Sequence, residues 1–237
     1  MATTNVIATR ATGVNYQGST SLAHSAAQTN ATHTAGSSTQ MAATYFFYSA
    51  ANLYINYRAF MNFSLSSLSG TVTGVTLTMT RANSQALPNF HFLASEAGNE
   101  VATSDYQDGL VGASSYPFNS DVTEFTDSAI DFDEGGAADD TVTVTLNSAA
   151  VSHANAVIGT SDRFKVAMVN EYDFNNTYAS SGISNSFVTQ GAVFYSHLKS
   201  GDSQDPFITI TTADAVSPSF KIKGGSVILK GGNLTIK

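Results

Sequence analysis

The chain has 237 residues, no cysteine, no tryptophan and a formal net charge of −8. Disulfide frameworks and thiolate metal sites are excluded, and a polyanionic partner is disfavoured. Ser and Thr supply 58 residues and Asn another 17, while only 12% of residues are charged, about half the usual share of a soluble domain.

This composition suits pleated, half-buried surfaces, and it offers little Leu, Glu, Lys or Arg for long helices. A short strand is expected at 4–9. Residues 11–40 are rich in Ala, Ser, Thr, Asn and Gly and read as a long exposed loop or short irregular strands. Residues 41–48 and 53–65 are the most apolar part. In the second run Leu53, Ile55, Tyr57, Ala59, Met61, Phe63 and Leu65 share one parity, the period-two signature of a strand with one face on a core. Tyr54 and Phe60 imply partial cover of its other face.

Residues 71–80 set Val75, Leu77 and Met79 against Thr76, Thr78 and Thr80, and 141–146 set Val142, Val144 and Leu146 against Thr141, Thr143 and Thr145. Residues 163–170 place Phe164, Val166 and Met168 inward and Arg163 and Lys165 outward. Further strands are expected at 89–94, 121–126, 187–196 and 207–211. One helix is expected over Asn147–Val157, with an Asn/Ser cap and a stop at Gly159. Strands and helices do not alternate, so the fold class is all-β, an antiparallel β-sandwich or jelly roll.

After Val216 the composition changes. The domain reading is a sandwich over 1–216 and a β-repeat tail over 217–237. The tail repeats with a period of seven: Phe220–Ser226, Val227–Asn233 and Leu234–Lys237, each an apolar/Lys unit, the first two ending in Gly-Gly-polar. Gly-Gly-Ser and Gly-Gly-Asn suit tight hairpins. Phe220, Ile222, Val227, Leu229, Leu234 and Ile236 form one apolar row that three short strands cannot bury alone. This row is the candidate assembly element of a homo-oligomer or a larger particle; a meander closing an edge of the same domain is the alternative.

The N-terminus shows no secretory signal pattern, and no stretch reaches the length of an apolar membrane span. The first 200 residues hold six basic side chains, so no nucleic-acid partner is expected. His24, His33, His91, His153 and His197 show no metal-pair spacing, and Gly-x-Ser-x-Gly and phosphate-loop patterns are absent. No catalytic residue is expected. Eight carboxylates lie between Asp121 and Asp140. Among them Asp131, Asp133 and Glu134 are the candidate Ca²⁺ ligands, although the loop lacks the EF-hand spacing; a solvated loop is the plainer reading. No other cofactor is expected. The aromatic-amide stretches Tyr172–Tyr178 and Tyr106–Asp108 have the composition of glycan-contacting loops or of core edges.

Arg58-Ala-Phe-Met-Asn-Phe-Ser-Leu-Ser-Ser-Leu68 followed by Val72–Leu77, and later Phe194-Tyr-Ser196 and Pro206–Thr211, resemble the first half and closing strands of the DNRLRE-type domain. Ser64 stands where that family often has Asp, and Asn62 where a basic residue is common. The resemblance implies a non-catalytic, carbohydrate-binding-module-like jelly roll over roughly 5–212 and carries over no ligand residues. The low-charge polar composition and the Lys-Gly-Gly tail look like those of bacteriophage structural proteins. The functional expectation is therefore a virion protein, decorating a capsid or fibre-like, partnered by copies of itself and other virion proteins. The alternative is a carbohydrate-binding adhesion module facing a surface glycan, and a polysaccharide-active enzyme ranks below both.

Overall fold

The computed structural model describes residues 1–19, 33–34, 40–48, 53–82, 89–99, 122–132, 137–175, 187–196 and 203–213. They form strands β1 (Ala2–Ile7), β2 (Arg10–Ser19), β3 (His33–Thr34), β4 (Gln40–Tyr48), β5 (Leu53–Ser64), β6 (Thr71–Thr80), β7 (Phe90–Ala94), β8 (Thr141–Thr145), β9 (Arg163–Asn170), β10 (Phe187–Tyr195) and β11 (Phe207–Ala213), with helices α1 (Ser148–Val157) and α2 (Glu171–Asn175). Every strand pairing is antiparallel. The fold is an all-β sandwich.

The strand with the strongest alternation, β5, organises the larger sheet. One of its edges pairs with β2 from Leu53 to Asn62. Its other edge is divided: Leu53–Asn56 pairs with β4, and Ala59–Ser64 pairs with β9. β10 extends β4, β3 extends β2, and β7 extends β9, giving seven strands. The smaller sheet has four, in the order β1-β11-β6-β8.

The core lies between the sheets and is built from single parities. Ala59, Met61 and Phe63 of β5, Phe164, Val166 and Met168 of β9, and Phe90 and Phe92 of β7 face Val75, Leu77 and Met79 of β6, Val144 of β8, and Ile208 and Ile210 of β11. Phe125 stacks on Phe164 with ring centroids 5.5 Å apart. The helix α1 closes one end through Ala150, Ala154 and Val157. Its start is capped as expected: Asn147 Oδ1 accepts the amides of Ala149 and Ala150 at 3.0 and 3.3 Å. Gly159, at φ 72°, ends it, and its amide donates to the Leu65 carbonyl. Asn155 of α1 exchanges two hydrogen bonds with the backbone of Val72, at 2.8 and 2.9 Å, which ties the helix to the start of β6.

The structure departs from the sequence reading in three places. Within 11–40, expected as a long exposed loop or short irregular strands, the described residues are strands, and β2 is a regular one of ten residues. Its Gly-, Asn- and Gln-bearing sequence is a poor strand former by itself, and β5 supplies a complete partner for it. The expected strand 121–126 is not regular. The stretch runs beside β7 with isolated bridges at Leu93–Glu124 and Phe90–Ile130, because Phe125 and Phe132 dip into the core while Asp127 and Ser128 stay outside. The second face of the larger sheet is not partly but fully buried at Arg58, Phe60, Leu93, Ala167 and Val169.

Candidate functional site

The expected Ca²⁺ ligands do not come together among the described residues. Asp131 is exposed, and Asp133 and Glu134 lie outside the described residues. No group of three His, Asp or Glu side chains gathers as a metal site among the described residues. The carboxylates around them have local partners. Glu124 bonds His91 at 2.9 Å, Asp127 accepts from Asn147 at 3.1 Å, and Asp140 accepts the Ala137 amide at 2.6 Å. The assembly row Phe220, Ile222, Val227, Leu229, Leu234 and Ile236 lies outside the described residues, as does Tyr106–Asp108. Of Tyr172–Tyr178, the first half is the helix α2 rather than an open loop, with Asp173 and Phe174 buried. Phe174 stacks on His91 with centroids 3.7 Å apart.

Two polar arrangements were not marked by any sequence motif. The first is buried on the second face of the larger sheet. Arg58 of β5 and Asp173 of α2 form a two-point ion pair, Nε to Oδ2 at 2.6 Å and Nη2 to Oδ1 at 3.0 Å, with both side chains fully buried. Asn170, at the end of β9, accepts the Asp173 amide at 2.9 Å and donates to Asn56 at 3.3 Å. This set docks α2 onto the sheet. Its full burial makes it a structural device, because a charge pair of this kind loses most of its attraction if water enters.

The second is an open cleft of about 590 Å³ between α1, the start of β9 and residues 95–99. Arg163 and Lys165 lie on the same face of β9, their Cα atoms two residues and so about 7 Å apart along the strand. Glu96, Asp162, Ser95 and Asn99 line the remaining walls. The buried Asn62 fixes one rim, since it accepts from Arg163 Nη1 at 2.9 Å and donates to the Asn99 carbonyl at 3.4 Å. His153 of α1 lies against the Phe125 and Phe164 rings, with centroids 5.6 and 5.4 Å away. Burial, and then the neighbouring Lys165 ammonium, push its pKa below the ordinary value. The cleft thus presents two cations, two carboxylates and an imidazole held toward its neutral form. Parity placed Arg163 and Lys165 outward in the sequence. Their meeting with Glu96 and His153 depends on chain crossings that no local pattern encodes.

No known protein-family model matches the chain, and no curated protein sequence does.

Proposed function

We propose that the protein is a non-catalytic structural subunit, a capsid-decoration or fibre-like virion protein whose sandwich is displayed on a symmetric particle. The observation that carries this reading is the pair of open edges on the four-stranded sheet. Among the described residues β1 pairs with β11 alone and β8 with β6 alone. Neither Ala2–Ile7 nor Thr141–Thr145 contains a charge or a proline. Monomeric proteins guard such edges with Lys, Pro or bulges, because bare edges add strands from neighbours. A subunit built to sit beside copies of itself has no need of that guard.

The tail supports the same reading by its charge. Residues 1–216 carry six basic and 18 acidic side chains, net −12, whereas 217–237 carry four Lys and no acid, net +4. A basic tail is complementary to the acidic body of a neighbour. The charge-poor, Ser/Thr-rich composition and the Lys-Gly-Gly repeat support the virion setting.

Light scattering on the full chain and on a chain ending at Val216 tests the proposal. The full chain is expected to form a defined oligomer that the shortened chain loses or weakens. A monomer in both cases, with neither chain associating with a particle, sinks it.

A further inference from the structure

We propose that the cleft between α1, β9 and residues 95–99 binds an acidic sugar, a monoanionic uronate unit, through Arg163 and Lys165. This stands on the cleft and not on the assembly reading, so either can fail alone.

The argument begins with the scarcity of positive charge. The body has six basic side chains. Arg58 and Arg81 are buried in the fold, Arg10 is as exposed as Arg163 and Lys165 but stands at the start of β2 with interactions of its own, and Lys199 lies outside the described residues. The other two, Arg163 and Lys165, share one cleft and are both partly exposed. Neither forms an ion pair among the described residues, whereas Arg58 pairs with Asp173. Arg163 is nevertheless held in place, through its bond to the buried Asn62. Two cations on one face of a strand at the same cleft, one of them anchored, are a receptor for an anionic group.

The rest of the lining selects the kind of anion. Glu96 and Asp162 stand on the same cleft and balance the two cations. A dianion such as a phosphate monoester would meet like charge on that rim, which is costly. A monoanion can be held by the cations while its hydroxyls donate to the carboxylates and exchange bonds with Ser95, Ser161 and Asn99. Val157 and the His153 ring add an apolar wall. The volume falls in the range of small-molecule sites, roughly 300–1,000 Å³. The net charge of −12 on the body repels dense polyanions at long range. The matching ligand is therefore a single uronate, or a glycan in which uronates are spaced by neutral sugars.

The experiment is a backbone amide NMR titration of the intact chain with sodium glucuronate, galacturonate and a tetrasaccharide containing one of them. Glucose, acetate and glucose 6-phosphate serve as comparators. Saturable shifts at Ser95–Asn99, Ser161 and Lys165 are expected with the uronates, weakened at least tenfold by Lys165→Gln and weakened also by added salt. The Lys165 side chain makes no hydrogen bond among the described residues, so this variant keeps the fold, which the spectrum itself checks. Arg163→Gln is the second variant and should weaken binding similarly. Equal response to glucose or acetate, tighter binding of glucose 6-phosphate, unchanged affinity in Lys165→Gln, or no saturable response to any uronate overturns the proposal.

Discussion

The seven-stranded sheet is buried on both faces where β5, β7 and β9 run side by side, whereas the outer face of the four-stranded sheet is covered at Thr78 and Thr80 of β6 and open along its edge strand β8. The difference is visible in the side chains. On β5 and β9 both parities are buried, so Phe60, Ala167 and Val169 are as hidden as Phe63, Phe164 and Val166. On β8 the pattern is one-sided: Val144 is buried, and Thr141, Thr143 and Thr145 are exposed. A sheet covered twice must place any polar group it keeps in a closed network, as it does for Arg58 and Asp173. An edge strand covered once, as β8 is, can leave its outer threonines to water or to a neighbouring subunit.

The largest expected effect attacks the doubly covered region. Arg58→Met removes the two-point ion pair to the buried Asp173 and should cost roughly 3–5 kcal/mol in chemical denaturation. The double variant Arg58→Met with Asp173→Leu should recover most of that loss. If the single variant is as stable as the parent, the second face is not closed to water. Next comes a contrast within the four-stranded sheet. Leu77→Ala, on its inner face, should cost about 2–5 kcal/mol. Thr145→Ala, on the exposed outer face of β8, should stay within about 0.5 kcal/mol. Equal losses at the two positions would erase the distinction between the faces.

A smaller effect is expected where the helix joins the sheets. Asn147→Ala removes the cap from Ala149 and Ala150 and should lower stability by about 1 kcal/mol. The last expectation concerns acidity. His153 binds its proton less readily in the folded chain than in the unfolded one. The unfolded state therefore takes up more protons as pH falls below the ordinary histidine value of about 6.5, and stability declines there. His153→Gln should flatten the fall in melting temperature measured between about pH 7 and pH 5. An unchanged slope would mean that other groups carry the acid sensitivity.

Much of the sandwich is legible in the sequence. The strand expected at 71–80 coincides with β6, and those at 141–146, 163–170 and 207–211 lie within two residues of β8, β9 and β11 at each end, because β6, β8 and β11 alternate apolar and polar residues and β9 does so over Arg163–Val166. The helix was legible through its Asn cap and Gly stop. The strand β2 was not, since its stability comes from pairing along β5 rather than from its own residues. Nor was the helix α2, whose Asp173 and Phe174 look like loop residues until Arg58 and His91 are set beside them.

What the sequence by itself determined is the alternation: which side chains of most strands turn toward the core, where one helix starts and stops, and how charge divides between body and tail. These are local properties, dictated by the two-residue period of an extended chain and by the chemistry of helix ends. Tertiary structure alone decided which strands pair, that β5 divides one edge between β4 and β9, that Arg58 is sealed against Asp173, and that Arg163, Lys165 and His153 share a cleft. Those relations join residues as far apart in sequence as Ala2 and Thr212, which pair in β1 and β11. Their energy comes from bringing the two partners together, and no short window of sequence contains both.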